Sequence, residues 1–423
     1  MESGIVHRLV GDAMLARRDT PVLILEGPRA VGKTTLARRQ LPQDSYSYTT
    51  LADRSALAFA REDPQGWLSR LKRPAIIDEA QLLPELPLLL KELVDGLPLA
   101  NHFVLTGSAS IGRTGLGGAD PLARRATLFT MHPLTLWELN GHKGSLADML
   151  FDVEPAVEKL PHVDDVDLLE TMAFGGFPAY VLQKREMSRE RLSERVFSDT
   201  LATLSVSALP DMAVNPPIAL GVLESVLRMP GGILNASRFG RLLGVDKRTY
   251  DRYVGVFGKL FLVHWLANLA TAPANQSHTR AKIHAIDTSL SVDALTRAGA
   301  DVLGQRELFG QLLETHVVNQ VVASCSWATR GGARGYWRKA GEPVHEVDLV
   351  LRRGDGLRVG IEVKAAATVN PADLKGLRAL RSASGLSRGF VFYTGDEIRE
   401  LDEQMWCLPM AALEGPAWAS GPS

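Results

Sequence analysis

Cysteine is nearly absent from this 423-residue chain: Cys325 and Cys407 are the two, and neither stands in a paired motif. That scarcity excludes a disulfide framework and a cysteine-built zinc site, and it favours a reducing compartment. Long apolar runs are missing as well. The nearest approach, Leu82 to Val94, is broken by Pro84, Glu85, Pro87, Lys91 and Glu92, so no segment suits a bilayer crossing. The N-terminal run from Met1 to Arg8 lacks the basic-then-apolar layout of a signal peptide, so a cytoplasmic chain with no membrane partner is expected. Charge of one sign is not in excess either. With 47 Lys and Arg against 48 Asp and Glu the net charge is −1, which leaves no chain-wide electrostatic footprint for nucleic acid, though a local basic patch is compatible with it. The ten histidines form no His-Glu-x-x-His pair and no cluster at metal spacing. The seven tryptophans are scattered along the chain and read as packing residues. No internal repeat or low-complexity tract occurs.

What remains is an ordinary globular composition, 45% hydrophobic and 22% charged, in a chain long enough for two or three domains. The first third alternates short apolar runs with helical segments, the pattern of a doubly wound, mostly parallel α/β sheet. Strands are expected at Val22 to Glu26, Tyr46 to Leu51, Ala75 to Asp78, His102 to Thr106 and Ala126 to Met131. The stretch from about Asp165 to Ala270 is helical by period, and the chain from Lys282 to about Thr394 is mixed again. Apolar strands are expected there at Glu346 to Leu351, Arg358 to Val363 and Gly389 to Tyr393. The resulting division is 1–145, 146–275 and 276–423.

Gly27-Pro28-Arg29-Ala30-Val31-Gly32-Lys33-Thr34 follows the first strand and opens a helix. A polyphosphate needs many donors at close range, so glycines let backbone N–H groups curl around it while the helix points its positive end at the anion. Lys33 brings a mobile positive charge, and the Thr34 hydroxyl is placed to ligate Mg²⁺. Residues 27 to 34 with Thr35 form the expected ATP site. Ala75-Ile76-Ile77-Asp78-Glu79 supplies the partner: a buried strand that delivers Asp78 to the metal and sets Glu79 to polarise the attacking water. No Asn-Lys-x-Asp base-reading motif is present, which weakens a GTPase reading. Ser108, after Val104-Leu105-Thr106-Gly107, could meet the γ-phosphate or only finish a strand. Arg113, Arg124 and Arg125 follow in a Gly-rich stretch. Arg125 is the candidate arginine finger, in cis or across a subunit interface, against the plainer reading of a solvated loop.

Taken in order, these blocks resemble a large group of prokaryotic AAA-type ATPases whose compact ATP-binding domain precedes a C-terminal domain of unknown function. The resemblance continues through Pro133-Leu134-Thr135-Leu136-Trp137-Glu138, Gly175-Gly176-Phe177-Pro178, Ala285-Ile286-Asp287-Thr288 and Leu312-Leu313-Glu314-Thr315-His316. It ends with Tyr336-Trp337-Arg338, Glu346-Val347-Asp348 and Ile361-Glu362-Val363-Lys364. It implies ATP binding with Mg²⁺ and a nuclease-like C-terminal fold, and no particular biological role. Where the group usually has Leu-Ala-Gly-Arg, this chain has Leu122-Ala123-Arg124-Arg125, so Arg125 matches while a glycine is lost.

Two further constellations stand out. From Gly231 to Tyr250 the layout is a winged helix-turn-helix: a helix from Ala236 to Leu243, a stop at Gly244, a cap at Asp246, and a strand at Leu260 to Leu266. Lys247, Arg248 and Arg252 lie where a DNA reader keeps its contacts, although such units also serve protein interaction and internal packing. In the last third, Asp348 and Glu362-Val363-Lys364, with Glu314 upstream on a helix, are similar to the PD-(D/E)XK nuclease layout. Asp348, Glu362 and Glu314 would hold a divalent metal, and Lys364 would position a water. Three readings stay open: an Mg-ATP-driven enzyme or switch, an ATP-regulated DNA or RNA nuclease, and a non-cutting module that assembles with a protein partner or itself.

Overall fold

The computed structural model describes residues 5–17, 19–42, 44–97, 100–109, 111, 120–156, 159–205, 215–270, 281–339 and 344–419. Arg113 lies outside them. The chain divides into two compact units: Met1–Pro133 with Ser205–Ala213 and Lys259–Phe261, and Leu134–Leu204 with Val214–Gly258 and Leu262–Ser423. The segments expected as separate middle and C-terminal domains thus lie largely in one unit.

The first unit is built on five parallel strands: β1 (Val22–Glu26), β2 (Ser47–Thr50), β3 (Ala75–Asp78), β4 (Phe103–Gly107) and β5 (Ala126–Thr130), in the order β2-β3-β4-β1-β5. Continuous apolar runs such as Val22-Leu23-Ile24-Leu25 and Ala75-Ile76-Ile77 suit strands covered on both faces, and β1, β3 and β4 are buried throughout. Helices Lys33–Arg39, Arg54–Glu62, Pro64–Arg70 and Leu86–Val94 separate the strands in sequence. The break at Pro64 is a shared boundary: Asp63 ends one helix and caps the next, its carboxylate accepting from the Gly66 N–H at 2.9 Å. The strand order matters for chemistry because β4 stands between β1 and β3.

The second unit carries an eight-stranded mixed sheet. Its strands are β6 (Val263–Asn268), β7 (Lys282–Ala285), β8 (Gly332–Lys339), β9 (His345–Arg353), β10 (Arg358–Lys364), β11 (Arg388–Tyr393), β12 (Arg399–Asp402) and β13 (Met405–Pro409). They run in the order β12-β13-β11-β10-β9-β8-β6-β7. Strands β7, β8, β12 and β13 were not expected from the sequence. Short strands with charged ends, such as Arg399-Glu400-Leu401-Asp402, carry too little apolar alternation to declare themselves. The helix pair Ala236–Leu242 and Lys247–Lys259 falls where the helix-turn-helix layout put it, with Gly244 at φ +69° between them. Asp246 caps the second helix through the Thr249 N–H at 2.7 Å. The following strand begins at Val263, and it pairs antiparallel with β7 and parallel with β8.

Close approach fixes one glycine. Gly376 opens the helix Lys375–Ser384, and a Cβ there would land against the Glu346 carbonyl and the Glu362 carboxylate. Gly354, by contrast, has open space around it. Gly376→Ala is therefore expected to lower stability by about 1–3 kcal/mol through overpacking, while Gly354→Ala stays within about 0.5 kcal/mol. Urea midpoints of the two variants check this; equal midpoints would show that the helix start yields freely.

Candidate functional site

The first candidate site collects at the C-terminal ends of β1, β3 and β4, where the parallel sheet turns its strand ends to one side. The chain leaves β1 at Gly27, which lies so close to the Met131 carbonyl that any Cβ would collide with it. Ala30 at φ +62° and Gly32 at φ +103° then hold the loop in a left-handed curl. The Arg8 guanidinium, missed in the sequence, pins this curl from behind. It donates to the Val31 carbonyl at 3.0 Å and the His132 carbonyl at 2.6 Å. Lys33, at the start of the following helix, folds its ammonium back onto the loop and donates to the carbonyls of Gly27 at 2.9 Å and Pro28 at 2.7 Å. Burial pulls its pKa down to about 8, against the opposing influence of Glu79 and Asp78.

Asp78 is the centre of the arrangement. Its carboxylate accepts from the Thr34 hydroxyl at 2.9 Å, from the Tyr48 hydroxyl at 2.8 Å, and from the Thr106 hydroxyl. Thr106 comes from β4, so the strand between β1 and β3 contributes directly. Tyr48, on β2, was not foreseen; burial and the neighbouring carboxylate raise its pKa, and the Arg38 guanidinium sits 4.5 Å from its ring centre. One residue on, Glu79 takes a left-handed φ of +57°, which turns its side chain out of the strand. Its carboxylate accepts from the Ser108 hydroxyl at 3.1 Å and from the Gln81 side-chain amide. Lys33, Thr34, Asp78, Glu79 and Ser108 are thus brought together. Thr34 and Asp78 offer only hard oxygen donors, a set that fits Mg²⁺.

Arg125 is placed elsewhere. It precedes β5, whose register pairs Val22 with Ala126 and Glu26 with Thr130. About 16 Å of strand separates it from the loop end of the sheet. Its guanidinium grips Asp95 through two nitrogens, one at 3.1 Å.

The second candidate site lies on the mixed sheet. The four residues expected there converge: Asp348 on β9, Glu362 and Lys364 on β10, and Glu314 on the helix Arg306–Ser324. The Asp348 carboxylate accepts from the Val363 N–H at 3.0 Å, and the Lys364 ammonium meets Glu362 at 3.2 Å. Two members were missed. Glu346 lies two residues before Asp348 on the same face of β9. Lys282, from β7, reaches the middle of the cluster and contacts Glu314 at 2.8 Å, Glu346 at 2.7 Å and Asp348 at 3.1 Å. Its side chain is only 6% exposed. Burial alone would lower the Lys282 pKa, but Asp348, Glu314 and Glu346 together outweigh it and hold the pKa well above the ordinary value. Burial, with Asp348 second, pushes Glu314 up to about 8 and Glu362 well above the carboxylate range. Among the described residues, no group of three or more His, Cys, Asp and Glu side chains is arranged to hold a metal ion. The set expected to hold a divalent metal, Asp348, Glu362 and Glu314, has the Lys282 ammonium against two of its members, Glu314 and Asp348. In the sequence, Lys282 at the start of the short run Ile283-His284-Ala285 gives no local sign of its burial.

Among the described residues no helix is long and apolar enough to cross a membrane. Residues 19–140 match the AAA domain, residues 165–301 a domain of unknown function (DUF8612), and residues 309–413 a domain of unknown function (DUF4143). The chain is 25% identical over 399 residues to uncharacterized proteins of Mycobacterium tuberculosis (Rv2008c) and Mycobacterium bovis (Mb2031c), covering 92% of this chain and 80% of each of those. Among solved structures, it is similar to the Walker-type ATPase PABY2304 of Pyrococcus abyssi, at 15% identity and a TM-score of 0.41 over 69% of this chain and 96% of that one. It is also similar to the Aeropyrum pernix ORC1 protein solved with DNA, at 17% identity and a TM-score of 0.29 over 69% and 90%. The chain thus carries an AAA domain followed by a C-terminal domain of unknown function.

Proposed function

We propose that the first unit binds Mg-ATP and hydrolyses it, and that turnover drives or switches the C-terminal unit. The observation that carries the reading is the meeting of Thr34, Thr106 and Tyr48 hydroxyls on the Asp78 carboxylate, beside Glu79 and behind Lys33. Thr34 and Asp78 would hold Mg²⁺, whose charge offsets that of the phosphate oxygens when it is bound. Lys33 would leave the carbonyls of Gly27 and Pro28 and turn its ammonium to the β and γ phosphates. The loop N–H groups would replace water around the same oxygens. Glu79 would leave Gln81 and Ser108 and accept a proton from the attacking water. The γ-phosphorus gains that oxygen as its bond to the bridging oxygen breaks, giving ADP and phosphate. Ser108, freed from Glu79, would be within the same cluster to meet the γ-phosphate. Arg125 would act only across a subunit interface, since the sheet holds it at the opposite end of β5.

Two outcomes test the reading. Lys33→Ala should abolish nucleotide binding, whereas Glu79→Gln should keep binding and lose about 10²- to 10⁴-fold in turnover. Hydrolysis that survives in Glu79→Gln would remove Glu79 from its role. The second outcome concerns pH. Phosphate binding needs the charged ammonium, and free Lys33 loses its proton near pH 8. ATP affinity should therefore fall above about pH 8, by up to tenfold per pH unit. Lys33→Arg should bind more weakly but without that slope. Calorimetric titrations from pH 7 to 9.5 decide it; parallel profiles for the two proteins would contradict the assignment.

A further inference from the structure

We propose that Lys282 stands where the divalent ion of a nuclease would stand, so that the carboxylate cluster of the C-terminal unit is closed to metal and does not cut nucleic acid.

The argument begins with valence. A lysine ammonium has three N–H donors and no acceptor. In this cluster the ammonium donates to Glu314 at 2.8 Å and to Asp348 at 3.1 Å, and lies 2.7 Å from a Glu346 oxygen. Three carboxylates thus surround the one nitrogen. The carboxylates are committed in turn, since the second Asp348 oxygen takes the Val363 N–H and Glu362 is paired with Lys364. A catalytic Mg²⁺ would need oxygens about 2.0–2.1 Å away in octahedral array, with positions kept open for water and substrate. Here the oxygens are spread around a nitrogen at hydrogen-bond distances.

The Lys282 side chain itself is enclosed, at 6% exposure, while Glu346 keeps 29%. The backbone of Gly231 and Gly232 bonds to Ile283 of β7 in both directions, each at 3.0 Å. Gly231 takes a φ of +70°, and a Cβ there would lie 3.1 Å from a Glu314 oxygen. The Tyr336 ring stands 5.8 Å from the Lys282 ammonium. These neighbours border the lysine on the side of β7 and β8. The Glu-x-Lys motif of β10 therefore survives in form while the position it would serve is filled by the protein's own cation.

The test uses Mn²⁺ alone with nucleotide-free full-length protein, reading free Mn²⁺ by its magnetic-resonance signal. The wild type should remove no more Mn²⁺ from solution than Asp348→Asn does. Lys282→Met, which keeps the length and loses the charge, should take up one equivalent, and adding Asp348→Asn in that background should abolish it. Labelled single- and double-stranded DNA and RNA should stay intact with wild type and Mn²⁺. One equivalent bound by wild type and lost in Asp348→Asn would overturn the proposal, as would cleavage that disappears in Lys364→Ala. Failure of a folded Lys282→Met to bind Mn²⁺ would also overturn it, by showing an ordinary ion pair rather than a filled cation position. Should Lys282→Met not fold, the wild type against Asp348→Asn still decides, together with thermal midpoints of wild type in Mn²⁺ and in EDTA, which are expected to coincide.

Discussion

A buried carboxylate must be answered, and the kind of group that answers it decides what the carboxylate can still do. An unpaired one costs several kcal/mol even after the surroundings relax. Asp78 ends the apolar strand β3 and Asp348 lies between Val347 and Leu349 on β9, each among several polar partners. Asp78 is met by three hydroxyls, from Thr34, Tyr48 and Thr106. Hydroxyls satisfy its lone pairs without cancelling its charge. A hydroxyl such as that of Thr34 can also turn and serve as an oxygen ligand itself. Asp348 is met by the Lys282 ammonium and a backbone N–H. The ammonium removes the charge that a divalent ion would have used. The two sites thus have similar carboxylates and opposite capacities.

The first arrangement follows from strand order. Because β4 lies between β1 and β3, the loop after β1 faces the carboxylate of β3 across a gap that Thr106 and Ser108 of the middle strand fill. Had β1 and β3 been neighbours, those hydroxyls would have had no place between them. The left-handed φ of Glu79 belongs to the same plan. A non-glycine residue there costs of order 1–3 kcal/mol, and what it gains is a carboxylate turned toward Ser108 and Gln81 rather than into the sheet.

The first cluster was legible because its residues are contiguous: a glycine curl, a lysine and a hydroxyl in eight positions, then a strand ending in Asp-Glu. Strands β1, β3 and β4 were legible for a related reason, since strands buried on both faces read as continuous apolar runs. What stayed hidden depends on residues far apart in sequence. Arg8 reaches Val31 and His132, and Tyr48 reaches Asp78, through tertiary packing that no local pattern announces. Lys282 is 32 positions from Glu314 and 66 from Asp348. In the sequence it is one lysine at the start of a short apolar strand, and such a residue usually marks an exposed end. Arg125 shows the reverse failure. Its place after a Gly-rich stretch suggested nearness to the phosphates, whereas the register of β5 against β1 carries it to the far end of the sheet.

The energetics of the second cluster bind its members to one another. Removing one member of a buried ion pair costs about 3–5 kcal/mol, because the partner is left charged and dry. Lys282 has three such partners, so loss of the lysine exposes Glu314, Glu346 and Asp348 to one another at once. Loss of Glu314 or Asp348 leaves the buried ammonium short of a partner. Each residue is therefore held in place by the others, and the group can be replaced only as a whole. Glu362 and Lys364 form a second pair under the same rule. Stability alone is enough to keep Glu314, Asp348, Glu362 and Lys364 at the spacing that reads as a catalytic motif, and the deciding residue is the one from β7 that the motif does not contain.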